Sequence, residues 1–378
     1  MTELVSQPEY GDGTRVVRAG LPDPVVGEPL LPGPVFAAPY HLGGRPAPPG
    51  AAPMDYGRMD NPTWRHLERA LADLDGATET VLFPSGMAAI SAVLFAVLRA
   101  GDTLVIPADG YFTVRPLAAD WVAARGVSVR QVPTPGPYRL DGASLVLLET
   151  PSNPGLEVCD LAAVGAAAQQ AGALVAVDNT TATPLGQRPL ALGADLVLAS
   201  DTKALAGHSD LLLGHVSARD AGLATRLRSW RTHSGTIPGP FEAWLTHRSL
   251  GTLDLRLARQ AANATALAGL LRSRPEVTGL RYPGLPGDPA YAVAARQMRR
   301  FGGVLSCTFP DAEHVGRLLA GSRLLTAATS FGGLHTTLDR RAQWGGDAVP
   351  AGFVRISAGC EDTADLLADL AAALDAAR

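Results

Sequence analysis

Short apolar runs alternate with helix-like segments through much of the chain, and this alternation limits the possible folds more than any other feature. Continuous apolar runs are typical of parallel strands buried on both faces, and such strands require helical crossovers. The pattern therefore predicts an α/β fold with a mostly parallel sheet. The runs lie at 103–106, 127–132, 145–148, 174–177 and 196–199, and helical patterns lie at 63–74 and 86–98.

The length of the chain and the distribution of its proline, glycine and apolar residues predict an N-terminal arm and two domains. A chain of 378 residues exceeds the usual size of one hydrophobic core. Residues 1–53 are dense in proline and glycine and predict an extended N-terminal arm. Residues 54–240 carry the alternation and predict a large domain. A long helical pattern from about 241 through 271 predicts a connecting helix, so 241–378 would form a small α+β domain, with strands at 303–309 and 354–357 and helices at 312–319 and 362–374.

Charge and cysteine content restrict the partners and the compartment. The net charge is -4 and lysine and arginine form no block, so neither nucleic acid nor an anionic membrane is expected as a partner. Cys159, Cys307 and Cys360 are too far apart to form a ligand-spaced cluster, and no metal site is expected. Few cysteines, no basic-then-apolar leader and no apolar run of about 20 residues predict a cytoplasmic protein that acts on a small molecule.

Polar side chains follow three of the apolar runs where the predicted strands end. Asn153 comes shortly after the run at 145–148, Asp178 directly after the next, and Lys203 after the last. Since ligands bind at the carboxyl ends of parallel strands, an amide, an acid and a lysine are expected to converge there.

Those three residue types meet the needs of pyridoxal 5'-phosphate. The cofactor requires a lysine for its Schiff base, an acid at the pyridine nitrogen and a polar group at the ring hydroxyl, roles that suit Lys203, Asp178 and Asn153. Its phosphate requires hydroxyls and the backbone donors of a helix start, available at Ser85, Gly86, Met87, Ser200 and Thr202. Each segment alone is also typical of a surface loop, a helix cap or simple packing.

Eight segments in order resemble the Cys/Met-metabolism family of pyridoxal-phosphate enzymes, which includes cystathionine synthases and lyases and methionine γ-lyase. The resemblance covers nearly the whole chain and implies fold type I, the aspartate-aminotransferase-like fold, with a large mostly parallel sheet domain and a small C-terminal α+β domain. The segments are YGRMDNPT at 56–63, SGM at 85–87, ETPSNP at 149–154, DNT at 178–180, SDTK at 200–203 with GHSD at 207–210, YPGLP at 282–286, SFGG at 330–333 and VRIS at 354–357.

The resemblance implies a role for each matching residue. Lys203 would carry the cofactor and later move protons, Asp178 would pair with the ring nitrogen, and Asn153 would support the ring hydroxyl and contact the substrate. Ser85, Gly86, Met87, Ser200 and Thr202 would hold the phosphate.

Two further contacts are implied at the edges of the site. Tyr56 and Arg58 would reach the phosphate of a neighbouring subunit, which implies a homotetramer with shared active sites. Arg355 would bind the substrate α-carboxylate in the forked geometry of a guanidinium, with Ser330 nearby.

Three positions bear on the substrate, and two of them depart from the family. Tyr111 would stack on the cofactor ring and protonate the leaving sulfur, but it lies one residue closer to Thr113 than is usual, so either the loop is shortened or Gly110 occupies the usual position. Arg115 matches an arginine that contacts a distal carboxylate in cystathionine-handling members. His335 stands where a glutamate usually helps recognise the distal amine, and a histidine of purely structural role is an equal alternative.

These features predict γ-elimination of cystathionine to cysteine, 2-oxobutanoate and ammonia. The segment RRAQWGGD at 340–347 resembles bacterial members described as cystathionine γ-lyases. The alternatives are γ-replacement on an O-acylhomoserine, by a cystathionine γ-synthase or sulfhydrylase, and methionine γ-lyase activity, although Phe112 stands where methionine γ-lyases usually have cysteine. A non-catalytic binding protein is a further alternative, but it would be expected to lack Lys203, Asp178 or Arg355.

Overall fold

The fold is known from a computed structural model that describes residues 10–42, 44 and 55–378. Its large sheet has the strand order β1-β7-β6-β5-β4-β2-β3, and β7 runs antiparallel to the other six strands. The α/β prediction is therefore confirmed. The strands are β1 (Glu79–Phe83), β2 (Thr103–Pro107), β3 (Ser128–Val132), β4 (Leu145–Glu149), β5 (Leu174–Asp178), β6 (Leu196–Ser200) and β7 (Gly214–Ala218).

The helices of the first part of the chain cover both faces of this sheet. Successive strand residues point to opposite faces: Leu104 and Ile106 pack in the core beneath α3 and α7, and Val105 packs in the core beneath α5. The helices are α1 (Asp12–Arg18), α2 (Pro62–Asp75), α3 (Gly86–Val97), the short α4 (Val114–Pro116), α5 (Leu161–Ala171), the short α6 (Thr183–Gly186) and α7 (Ala221–Ser234).

A second, smaller sheet follows, as the sequence predicts. Its order is β10-β11-β12-β9-β8, antiparallel except between β10 and β11. Its strands are β8 (Thr278–Arg281), β9 (Val304–Thr308), β10 (Thr326–Ala327), β11 (Thr337–Arg340) and β12 (Phe353–Ser357), and the helices are α8 (Pro240–Leu250), α9 (Leu253–Arg272), α10 (Tyr291–Gln297), α11 (Ala312–Gly321) and α12 (Thr363–Ala376).

Two local predictions require correction. The single helix expected at 241–271 is divided into α8 and α9, because Gly251 ends the first helix and Thr252 leaves the helical region with ψ near 4°. Within the predicted extended arm, Asp12–Arg18 form the helix α1, whose Val16 is buried against α2 and α9. Part of that arm lies outside the described residues. The domain limits at 53 and 240 remain predictions.

A buried network of charged side chains lies beneath the turn that carries Lys203. The His215 ring contacts Asp201 through Nδ1 at 2.6 Å and Asp75 through Nε2 at 3.0 Å, and Ser217 Oγ donates to the same Asp75 oxygen at 2.7 Å. Burial lowers the pKa of His215, but the two carboxylates outweigh it and raise that pKa to about 10. His215 is therefore a buried cation at neutral pH, and it fixes Asp201 two residues before Lys203.

Replacing His215 with leucine should lower the free energy of unfolding by about 3–5 kcal/mol near neutral pH, because two buried carboxylates lose their cation. A raised pKa means that this contribution is complete below the ordinary histidine pKa and is lost as the pH rises through about 10. The difference from wild type in urea unfolding should therefore shrink at high pH. His314→Leu, which removes a buried histidine stacked on Phe309, is the matched control and should cost less. A pH-independent deficit for His215→Leu would contradict the arrangement.

Candidate active site

A cavity of about 320 Å³ lies where the carboxyl ends of β4, β5 and β6 meet the start of α3 and the second sheet. Side chains from both sheets line it, so the strand-end convergence predicted from the sequence occurs. The lining includes the predicted residues Ser85, Gly86, Met87, Tyr111, Asn153, Asp178, Ser200, Thr202, Lys203, Ser330 and Arg355.

Lys203 is the one lysine of the chain, and its amine lies within this cavity. Nζ donates to Ser330 Oγ at 2.8 Å and lies 5.6 Å from the centre of the Phe331 ring. Burial, followed by the charge of Arg355, lowers the pKa of Lys203 to about 8, while Asp178 opposes the shift. About a tenth of the amine is therefore neutral and nucleophilic at pH 7, far more than for an ordinary lysine.

Asp178 ends β5 and is held by the residues that follow it. Its Oδ1 accepts from the backbone N of Thr180 at 2.9 Å and from Thr180 Oγ1 at 2.5 Å, and that hydroxyl oxygen accepts from Ser200 N at 2.8 Å. Burial raises the pKa of Asp178. A protonated ring nitrogen is a cationic partner suited to such a buried carboxylate.

Glu149 is a site residue to which the sequence analysis gave no role. It accepts from the backbone N of Tyr111 at 2.6 Å and of Asn153 at 2.7 Å, so it joins two loops that line the cavity. Burial and the neighbouring Asp178 raise its pKa well above the usual value. Its position directly after an apolar run is the same signal that identified Asp178.

Glu149 and Pro107 also leave little space beside Gly110 in the tyrosine loop. A Cβ added to Gly110 would lie 2.7 Å from Glu149 Oε2 and 2.7 Å from Pro107 Cγ, so no side chain fits at position 110. Tyr111, one residue later, lines the cavity instead. Glycine therefore suits position 110, and the tyrosine of this loop lines the cavity from position 111.

The start of α3 offers an anion site. Ser85 caps the helix, its Oγ accepting from Ala88 N at 3.1 Å, and a Cβ on Gly86 would lie 2.6 Å from Ser200 Cβ. The first turn of α3 therefore packs directly against the end of β6. Backbone N–H groups of a first turn, together with the Ser200 and Thr202 hydroxyls, suit a phosphate.

Arg355 connects the second sheet to the first across the cavity. Its Nη1 donates to Asn153 Oδ1 at 2.6 Å, and its Nη2 donates to the Ser330 carbonyl at 2.8 Å and to Asp339 Oδ2 at 3.0 Å. Burial is the main reason that its pKa is lowered to about 10. Ser330 has a φ of 73°, in the region that non-glycine residues seldom adopt, and it directs its hydroxyl to Lys203 and its carbonyl to Arg355.

Four predicted residues do not line this cavity in the described part of the chain. Tyr56 and Arg58 are exposed, and Arg58 Nη1 donates to the Thr232 carbonyl at 2.8 Å. His335 is exposed as well. Arg115 donates to the Gly110 carbonyl at 2.9 Å and to the Gly346 carbonyl.

Two lining or adjoining residues had no separate signal in the sequence. Arg341 lines the cavity, and Asp339 lies behind it as the shared partner of Arg341 and Arg355. Arg341 belongs to the segment 340–347, whose resemblance indicated a subgroup of enzymes rather than individual contacts, and Asp339 directly precedes that segment.

The cavity holds a partly neutral lysine, a buried acid and a capped helix start, and these suit the aldehyde, the ring nitrogen and the phosphate of pyridoxal phosphate. Fold and site together define a pyridoxal-phosphate enzyme of fold type I. The chain belongs to the family described as Cys/Met metabolism PLP-dependent enzyme, whose sequence model matches residues 47–375.

Relatives agree with this assignment over almost the full chain. A Streptomyces coelicolor protein named "Putative cystathionine gamma-lyase" is 57% identical over 97% of this chain and 94% of its own. A cystathionine gamma-synthase of Mycobacterium tuberculosis is 38% identical over 96% of this chain and 97% of its own. The solved structure of cystathionine gamma synthase from Xanthomonas oryzae pv. oryzae, in complex with cystathionine, superposes with a TM-score of 0.92 at 37% identity, covering 97% of this chain and 98% of that one.

The rate at which pyridoxal phosphate rebinds the cofactor-free protein should rise with pH through a midpoint at about 8, because only the neutral Lys203 amine is nucleophilic. Arg355→Met removes a nearby positive charge and should move the midpoint to higher pH, whereas Asp178→Asn should move it lower. Absorbance of the bound cofactor after mixing measures the rate. Arg340→Met, on the neighbouring strand, is the control. A midpoint unaffected by both charge changes would contradict the assignment.

Proposed function

We propose that the chain is a carbon–sulfur lyase that cleaves the Cγ–S bond of cystathionine, with water consumed and cysteine, 2-oxobutanoate and ammonia released. The observation that carries this proposal is one cavity lined by Lys203, by the carboxyl groups of Glu149 and Asp178 and by the guanidinium groups of Arg355 and Arg341. A substrate with two carboxylates suits the two guanidinium groups. The name of the Streptomyces relative supports the same reaction.

Pyridoxal phosphate, when bound, supplies an electron sink conjugated to the substrate α-carbon. Lys203 Nζ would hold the cofactor and then move protons at the substrate Cα and Cβ. Asp178 would keep the ring nitrogen protonated, and Ser85, Gly86, Met87, Ser200 and Thr202 would bind the phosphate.

Three other residues would act on the substrate or on Lys203. Arg355 would bind the α-carboxylate, because its fork already faces the cavity and Asn153 fixes it from one side. Tyr111 would deliver a proton to the leaving sulfur. Ser330 would guide the Lys203 amine, which it contacts in the structure at 2.8 Å.

The same residues suit γ-replacement, in which a thiol adds to Cγ. The relatives from Mycobacterium tuberculosis and Xanthomonas oryzae carry the name cystathionine gamma-synthase, which favours this second candidate. Cystathionine is the substrate of the elimination and the product of a cystathionine γ-synthase. The two reactions differ in the group that leaves Cγ and in whether a thiol enters there.

We also propose a cytoplasmic homotetramer in which Tyr56 and Arg58 reach a neighbouring subunit's phosphate. Both side chains are exposed in the single chain, and the Arg58 guanidinium lies 5.6 Å from the Tyr56 ring centre, so the two could enter a neighbouring site together. Among the helices of the described residues, none has the length and apolar content needed to cross a membrane.

Purified protein with cofactor should release 2-oxobutanoate from cystathionine faster than from methionine, and faster than it condenses O-succinylhomoserine with cysteine. Lys203→Ala should lose all of these activities, because no other lysine exists to replace it. Assays of 2-oxobutanoate and of free thiol separate elimination from replacement. Condensation exceeding elimination would move the function to γ-replacement, and preference for methionine would move it to methionine γ-lyase.

Arg58→Ala should weaken cofactor retention by about 1.5–3 kcal/mol, as expected for loss of a hydrogen bond to a charged group. Equilibrium dialysis against dilute cofactor measures the change, and analytical ultracentrifugation gives the oligomeric state. Arg69→Ala, which removes another exposed arginine, should leave retention unchanged. A monomer that retains the cofactor as tightly as wild type would refute the shared site.

A further inference from the structure

Five side chains of alternating charge form a continuous row beside the cavity, here called the charge row: Arg355, Asp339, Arg341, Asp347 and Arg115. Asp339 Oδ2 accepts from Arg355 Nη2 at 3.0 Å and from Arg341 Nη1 at 2.9 Å. Asp347 Oδ2 accepts from Arg341 Nη2 at 2.6 Å, and its Oδ1 lies 4.0 Å from Arg115 Nη2. The row therefore joins the two arginines that the sequence assigns to the two ends of a substrate.

Within the charge row, Arg341 rather than Arg115 lines the cavity. A guanidinium has five N–H donors. Arg341 uses three in bonds to Asp339 and Asp347, and within the part of the chain that the structure describes its remaining donors have no acceptor. Its guanidinium carbon lies 5.6 Å from the Phe112 ring centre. Arg341 can therefore bind a further anion while its two carboxylates hold it in place.

Arg115 is engaged differently. Its Nη1 donates to the Gly110 carbonyl at 2.9 Å, and its Nη2 donates to the Gly346 carbonyl. A Cβ on Gly346 would clash with the Phe112 ring, so the loops at 110–113 and 345–347 are in direct contact. Arg115 thus ties two loops together and lies on the far side of Asp347 from Arg341.

The charge balance of the row favours an anionic ligand. Three arginines face two aspartates, and four of the five side chains are almost fully buried, at 1–4% exposure, with Arg115 at 21%. After burial, the charge of Arg341 is the next cause of the lowered pKa of Arg355, so the excess positive charge acts at short range. One α-carboxylate at Arg355 leaves Arg341 available for a second carboxylate.

We propose that Arg341 is the specificity-determining residue, binding the distal carboxylate of the substrate, and that Arg115 is a positioning residue acting through Asp347. The proposal rests on the proposed function in that it takes a dicarboxylic amino acid as substrate. The fork of Arg341 is aimed by Asp339 and Asp347, and the loop that carries Asp347 is fixed by Arg115.

The test compares substrates with and without a distal carboxylate. Cystathionine and O-succinylhomoserine carry one, whereas homocysteine has the same four-carbon chain and γ-sulfur without it. In the holoenzyme, Arg341→Met should raise KM and the spectroscopic Kd for the first two by about 10- to 100-fold. The values for homocysteine should change less than about threefold. Arg340→Met is the matched control and should leave all three unchanged, because Arg340 does not line this cavity within the described chain.

The role of Arg115 is tested by a separate set of variants. Arg115→Met should raise KM for cystathionine less than Arg341→Met does, and Arg115→Lys should restore most of it because the charge beside Asp347 is kept. Asp347→Asn weakens both the Arg115 contact and the bonds that aim Arg341, so it should raise KM at least as much as Arg115→Met. The double variant should be no worse than Asp347→Asn alone, since Arg115 acts through Asp347. If Arg341→Met fails to fold, Arg341→Lys keeps the charge but loses the fork, and it should show the same selective loss in smaller degree.

The outcomes separate the two proposals. Wild type that binds O-succinylhomoserine but not cystathionine would refute the proposed reaction while leaving Arg341 testable on the first ligand. Equal losses for homocysteine and the dicarboxylic substrates in Arg341→Met would overturn the specificity assignment. A selective loss that is larger in Arg115→Met than in Arg341→Met would assign the distal carboxylate to Arg115, and failure of wild type to bind either dicarboxylic ligand would also overturn the inference.

Discussion

The hydrogen bond from Arg355 to Asn153 is the contact on which the geometry of the site depends. Arg355 belongs to β12 of the small sheet and Asn153 follows β4 of the large one, and they meet at 2.6 Å in a buried position. The same guanidinium holds the carbonyl of Ser330, whose hydroxyl contacts Lys203. The Arg355 side chain thus bridges the two sheets and helps to shape the surroundings of the amine.

Two ionic networks lie close to Lys203, and only one of them reaches the cavity in the described chain. Beneath Lys203, His215 is fully buried between Asp75 and Asp201, and none of the three lines the cavity in the described chain, so that network contributes rigidity. Beside it, the charge row opens onto the cavity through Arg341 and Arg355. Both avoid the cost of an isolated buried charge by pairing each ion. In the second network, the Arg341 and Arg355 guanidinium groups line the cavity and are available to an anionic ligand.

The sequence predicts the strand-end residues well because their signal is local. Asp178 and Lys203 follow uninterrupted apolar runs, and each strand ends within one or two residues of the predicted position. The same signal does not predict β7, because its buried His215 and Ser217 interrupt the apolar run. The polar partner of both, Asp75, comes from a distant element of the chain. The place of Arg341 at the cavity could not be predicted from the sequence either, because its role depends on Asp347 and Phe112 lying next to it in space. No pattern of spacing conveys that arrangement.

The loop at 110–113 connects these observations, because it touches both sides of the cavity. Glu149 and Pro107 occupy the space that a side chain at 110 would need, and the Phe112 ring centre lies 5.6 Å from the Arg341 guanidinium carbon. The Phe112 ring also occupies the space that a side chain at 346 would need, and Arg115 donates to the Gly346 carbonyl at the same junction. The end of β4 therefore limits position 110 and Phe112 limits position 346, so a side chain at 346 should be tolerated only together with a smaller residue at 112.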